Sequence, residues 1–262
     1  MLSLAADADA AVSPDWRLAV VLVVLVAVAV LASVVGRLGT QREHVTAAAR
    51  AVVQLAVVSL VITAALANVW LSVAFVLLMF VVATVTSTGR IDVAHRQLPW
   101  VGFTIACGVV PVLALVFASG VVSFNGPGII PIAGIVVGNM MTAATLTGRR
   151  AFDELAGHFG SYEAALALGM TSPDAAFEVI QPTAREALTP GLDQTRTVGL
   201  VTLPGAFIGV LLGGGTPLEA GAAQILVLMG LMAGQAITSA VLLRLVAAAW
   251  VVRRDLVATY PR

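Results

Sequence analysis

The feature that most constrains this chain is the length of its apolar runs. A helix needs about 20 mostly apolar residues to cross a bilayer. Seven windows of about that size lie between charged or Pro/Gly-rich breaks: Leu18–Val35, Ala47–Ala67, Val69–Thr86, Leu98–Ala118, Ile129–Leu146, Val198–Leu212 and Ala220–Val252. The sixth is short and the seventh long. With 60% hydrophobic and 11% charged residues, the 262-residue chain is too apolar for a water-soluble domain. The expectation is an all-α, polytopic transmembrane bundle of about seven spans.

Charge placement sets the expected orientation. The chain has 14 basic residues and no lysine. Arg37, Arg42 and Arg50 follow span one, Arg90 and Arg96 span three, Arg149, Arg150, Arg185 and Arg196 span five, and Arg253, Arg254 and Arg262 span seven. The intervening connections carry no arginine, and only Arg17 falls on their side. Positive residues stay inside, so the N-terminus is expected outside and the C-terminus in the cytoplasm. Asp7, Asp9 and Asp15 give the first residues the wrong charge for a signal peptide, so the first span is expected to stay in the mature protein. Three regions follow: residues 1–147 with spans one to five, 148–197 as a cytoplasmic helical loop, and 198–262 with the last two spans and a cytoplasmic tail.

Absences narrow the energy source. Without lysine there is no Walker A phosphate loop, and Gly213-Gly214-Gly215-Thr216 reads as a turn rather than a nucleotide site. No Asp, Glu or His is expected mid-span: His44, His95 and His158 map to loops, and Glu219 to the outer mouth of span seven. Proton-driven carriers place such groups in the membrane, so energy is expected from a partner. The lone Cys107 lies in span four and excludes a disulfide framework. No nucleophile–base pair or metal cluster marks an enzyme, and no nucleic-acid partner is expected.

The long loop carries helix signals. Ser161 is positioned to cap a helix through Leu168, Ser172-Pro173-Asp174 to open a second, and Thr189-Pro190-Gly191 to end it. Glu163-Ala164-Ala165, Gly169, Ile180 and Pro182 resemble the loop by which ABC import permeases dock their ATPase, with one extra residue before Ile180 and Gln181 before the proline. Such a helix lies in a groove of its partner, and Gly169 would allow close approach.

Longer segments carry a whole-chain resemblance: Arg50 through Gln54-Leu55, Gly138-Asn139-Met140-Met141, Val198 through Pro204-Gly205, and Pro217-Leu218 through Gln224-Ile225. Together they resemble the FetB-type permeases, bacterial iron exporters related to plant aluminium-tolerance transporters. The resemblance implies a half-transporter in the cell's inner membrane that pairs with a second copy and with separate ATPase chains, binds no cofactor itself while ATP sits on the partner, and exports a metal ion such as iron. The alternative is a stand-alone secondary transporter or channel for a small solute.

Interrupted spans point to a transport path. Pro131, Gly134 and Gly138 interrupt span five, and Pro204, Gly205, Gly209 and Gly213 span six. Candidate path residues are Gln54, Asn139, Met140, Met141, Gln224 and Gln235, with Met229 and Met232 as further thioether donors. Met and buried amides on membrane helices more often pack or bridge helices, so both readings stand. The spacings Gly134–Gly138, Gly205–Gly209–Gly213 and Gly230–Gly234 read as packing faces, within a subunit or across a homodimer.

Overall fold

A computed structural model describes residues 15–260. Asp7, Asp9 and Arg262 lie outside the described residues. Within them the secondary structure is helical, with two isolated backbone bridges. The helices are α1 (Trp16–Val35), α2 (Gln41–Ala67), α3 (Val69–Arg90), α4 (Leu98–Ala118, led in by a 3-10 turn, His95–Gln97), α5 (Gly126–Gly157), α6 (Phe159–Ala167), α7 (Ser172–Ile180), α8 (Thr183–Thr197), α9 (Gly205–Leu212) and α10 (Pro217–Ala247). Six of them, α1 to α5 and α10, are long and apolar enough to cross a membrane. The fold is an all-α bundle of membrane-spanning helices.

Side-chain caps fix where the long helices start. Asp15 accepts from the backbone of Arg17 and Leu18, which starts α1 two residues before the expected span. Asn68 and Asn125 do the same for α3 and α5. Thr216 and Glu219 cap each other's backbone at the head of α10, so Glu219 belongs to the helix itself.

The sixth expected span departs from its prediction. Only Gly205–Leu212 is helical there, eight residues or about 12 Å, too short to cross alone. Residues 198–204 form an irregular break in which Gly199 takes a φ of +84° and its N–H donates to the Thr202 carbonyl at 2.9 Å. Pro204, with no N–H to give, then leads into α9.

Residues 148–197 also differ from the expected loop. α5 continues unbroken to Gly157, α6 starts at Phe159 rather than after Ser161, and Thr171 rather than Ser172 caps α7. The sequence Thr189-Pro190-Gly191 lies inside α8 instead of ending a helix. The Thr189 and Thr195 hydroxyls donate to carbonyls four residues back and help hold the helix around this proline. α8 packs along both α5 and α10, and α9 packs on α10.

The chain divides into two compact units, residues 1–63 and 64–262. In the first, α1 and most of α2 are joined by a turn in which Arg37 and Gly39 take positive φ. There the buried Ser33 hydroxyl contacts the Thr40 hydroxyl and accepts from its N–H, and Thr40 contacts His44.

In the second unit, α10 lies against α4 and α5, and α3 packs on both. The tightest crossing joins Gly108 of α4, Met140 of α5 and Gly234 of α10. A methyl group on Gly108 would collide with the Thr238 hydroxyl and come within 2.7 Å of the Gly234 carbonyl; one on Gly234 would lie 2.8 Å from the Met140 sulfur. Hydroxyl pairs join α5 to α10, Thr147 to Ser239 at 2.8 Å, and α5 to α3, Thr145 to Ser87 at 3.2 Å. Arg149 donates to the Arg90 carbonyl and Arg254 pairs with Asp92. The ends of α3, α5 and α10 and the start of α4 thus share one arginine-rich end.

Candidate functional site

Two groups of candidate residues emerge from this frame, one at the arginine-rich end and one mid-bundle. At the end, α6 turns Tyr162 and Ala165 inward, while Glu163, Ala164, Leu166 and Leu168 face out, Leu168 being 86% exposed. Gly169 closes the helix with a φ of +90°; its N–H bonds to the Leu166 carbonyl, and that of Met170 to Ala165. A methyl group on Gly169 would meet nothing within 4 Å among the described residues of its unit, so its role there is backbone conformation. Ile180 is fully buried and Pro182 is exposed at the head of α8. The motif therefore supplies both a surface, Glu163 and Ala164, and its anchors, Ala165 and Ile180.

The segment after α10 locks this element in place, and the sequence reading treated it only as a tail. Ala249, at a φ of +55°, turns the chain back after α10. Val252 N–H donates to the buried Gln97 side chain at 3.1 Å, and Arg253 bridges to Val93. The Arg253 guanidinium grips Asp255 at 2.8 and 3.0 Å and Asp153 of α5 at 2.6 Å. Those hydrogen bonds, Asp255 first, raise the Arg253 pKa, and the guanidinium in turn holds the Asp255 carboxyl below its usual range. Tyr260 donates to the Leu155 carbonyl at 2.9 Å and packs its ring 4.7 Å from that of Tyr162, whose hydroxyl meets Ser172 at 2.8 Å. Burial pushes the Tyr260 phenol above its ordinary pKa, with Tyr162 and Glu163 adding to the effect. The Arg253-Arg254-Asp255 run and Tyr260 were the available signals.

Mid-bundle, Gln235 of α10 donates to Asn139 of α5 at 3.3 Å, and Asn139 donates to the Ile135 carbonyl at 2.9 Å. α8 crosses here: a methyl group on Gly191 would collide with the Gln235 amide oxygen. The structure thus brings Asn139 and Gln235 together and adds Gly191. Met140 is fully buried and accepts a hydrogen bond from Thr238 at 3.3 Å, whereas Met141 and Met232 are half-buried and Met229 is exposed. The Gln224 amide is buried with its oxygen unpaired. Gln54 lies exposed on α2, in the other unit. Among the described residues no three His, Cys, Asp or Glu side chains come together as metal ligands.

The glycine faces divide. A methyl group on Gly134 or Gly230 would lie 3.0 Å from a side-chain carbon of Met79 or Val112 respectively, and one on Gly234 would be tighter still. A methyl group on Gly138, Gly205 or Gly209 would meet nothing within 4 Å among the described residues of their unit, and one on Gly213 only backbone of its own helix.

Residues 16–251 match the model of a family described as "Uncharacterised protein family (UPF0014)". The chain belongs to that family. Among relatives in UPF0014, the UPF0014 membrane protein STAR2 of Oryza sativa subsp. japonica is 36% identical over 82% of this chain and 76% of its own length. Protein ALUMINUM SENSITIVE 3 of Arabidopsis thaliana is 34% identical over 83% and 80%. The Escherichia coli (strain K12) protein named "Probable iron export permease protein FetB" is 29% identical over 78% and 79%. No solved structure matches the chain. It is a multi-pass membrane protein of the UPF0014 family, as the resemblance implied. The family match ends at residue 251, just before the segment that clamps α6.

Proposed function

We propose that this chain is the membrane-spanning subunit of an ATP-driven transporter whose ATPase is a separate chain docking on α6. The reading rests on one observation: a short helix at the arginine-rich end presents Glu163, Ala164, Leu166 and Leu168 outward while aromatic stacking and the C-terminal segment hold its back. An exposed apolar ridge on a firmly backed helix suits a helix-in-groove contact. The arginine-rich end is cytoplasmic in this reading, by the positive-inside rule. The chain works as a pair with a second copy, as the family resemblance implies, a two-fold dimer being the commonest symmetric assembly. Its cargo is a metal ion moved outward, with iron the first candidate from the relative named for iron export.

The test is recovery of an ATPase with the tagged protein from its own membranes, comparing the native chain with Ala164→Arg/Leu168→Arg. Both side chains face out, so the double variant leaves the fold intact. Loss of a co-purifying ATPase from the variant alone supports docking on α6. Recovery of none from either protein favours a carrier or channel that works unaided.

A further inference from the structure

The most informative feature outside the docking element is the depth to which α8 rises. Its lower end is fixed by α7, whose Phe177 ring lies 3.8 Å under the Arg244 guanidinium at the end of α10. From Thr183 the helix climbs to Gly191, which rests on Gln235. Gln235 stands 16 residues after Glu219 and nine before Arg244, hence about 24 Å and about 14 Å from those charges at 1.5 Å per residue. Asp193 and Arg196 come two and five residues beyond Gly191, about 3 and 8 Å further from the arginine-rich end. That puts both near the centre of a hydrocarbon layer about 30 Å thick.

Both residues are charged, and neither is covered by the described residues of its own unit, 64–260. Arg196 Nη1 meets Asp193 Oδ1 at 3.2 Å, with the two side chains 72% and 55% exposed. Gln194 between them is exposed as well. Ionisable groups at such depth face a bundle interior or a water-filled cavity rather than lipid. A second observation points the same way. The break at residues 198–204 follows at this depth, with Leu200 94% and Val201 77% exposed. Non-helical backbone at membrane depth is tolerated where protein buries it or where it lines water, and the described residues of its own unit do not bury it.

We infer that α8, the break at 198–204 and α9 form one discontinuous span, and that the α8 face bearing Asp193, Gln194 and Arg196 lines an aqueous translocation pathway. This deepens the permease reading and rests on it for what passes. Asp193 and Arg196 are the ionisable pair of that pathway, on the side of α8 turned away from Gly191 and its Gln235 contact.

Thiol accessibility tests the placement without any transport assay. In a Cys107→Ser background, Gln194→Cys, Leu78→Cys on the exposed mid-face of α3 and Ser161→Cys on α6 are treated in membrane vesicles with a charged methanethiosulfonate and with a neutral, permeant maleimide. The expected charged-reagent rate at 194 is on the order of tenfold below that at 161 and tenfold above that at 78, as for a narrow water-filled path. A rate equal to that at 161 would put α8 in bulk water and overturn the proposal. Reaction only with the neutral reagent, as at 78, would put the face in lipid and overturn it too. Because the readout needs no ATPase, the pathway and the energy source are judged separately.

Discussion

Tyr260 donates its phenolic hydrogen to the Leu155 carbonyl across 2.9 Å, which fastens the end of the chain to the projecting part of α5. Tyr260→Phe keeps the ring stack but leaves a buried carbonyl unpaired, at a cost of about 1–3 kcal/mol. Tyr260→Ala also removes the stack on Tyr162 and Phe159 and should cost more. Thermal unfolding in detergent measures both, and the order Ala below Phe below native is expected.

The same phenol predicts a response to alkali. Its pKa is raised in the fold, so the folded state holds the proton that the unfolded chain releases near pH 10. Its contribution is complete below about pH 10 and is lost as pH rises through the higher folded value. Native protein should therefore lose more melting temperature than Tyr260→Phe between pH 9 and about pH 11. Equal losses would mean the phenol ionises freely in the folded state.

Crowding at the α4–α5–α10 crossing predicts a contrast among glycines. Gly108→Ala must displace Thr238, the Gly234 carbonyl and the Met140 sulfur, and should destabilise by about 1–3 kcal/mol. Gly209→Ala meets nothing within 4 Å among the described residues of its unit and should be neutral to mildly stabilising. Melting of the detergent-solubilised protein separates the two, and a marked loss for Gly209→Ala would locate a second copy against α9.

Asn139→Leu deprives Gln235 of its acceptor. Hydrogen bonds between membrane helices average about 0.6 kcal/mol, so the fold should survive. Uptake of the candidate metal into inverted vesicles should fall while the ATPase still co-purifies. Unchanged uptake would remove Asn139 from the path.

Gly169→Val places a β-branched residue at a φ of +90° and should reshape the end of α6 at a cost of about 1–2 kcal/mol. Membrane insertion should be normal and stimulated ATP hydrolysis lost. Full stimulation would detach ATPase coupling from the geometry of this turn.

Much of the bundle could be read from apolar length, since that property is local. The fourth span, Leu98–Ala118, agrees with α4 at both ends, and the fifth and seventh miss only the ends that caps and extensions decide. The discontinuous region was harder because its signals conflict. Pro190-Gly191 carries helix-stop chemistry, yet threonine hydroxyls and the packing surface of Gln235 keep α8 helical through it. The charges on α8 made it look like a solvated loop, since nothing local reveals which neighbour an amphipathic helix will climb. Of the path candidates, Asn139 and Gln235 were named without any sign that they touch, because 96 residues separate them.

α5 runs for 32 residues from Gly126 to Gly157, about 48 Å, while the span beside it is split into α8 and α9. It is pinned near its middle, where Met140 seats between Gly108 and Gly234. Held at such a fulcrum, the helix would work as a lever with arms of about 21 and 26 Å, Pro131 lying in the shorter one. A push of about 2 Å at Gly157 would swing Gly126 by about 1.6 Å in the opposite sense. In the proposed assembly, force applied at the α6 end of the helix would arrive at its other end reversed in direction, so that one mouth opens as the other closes.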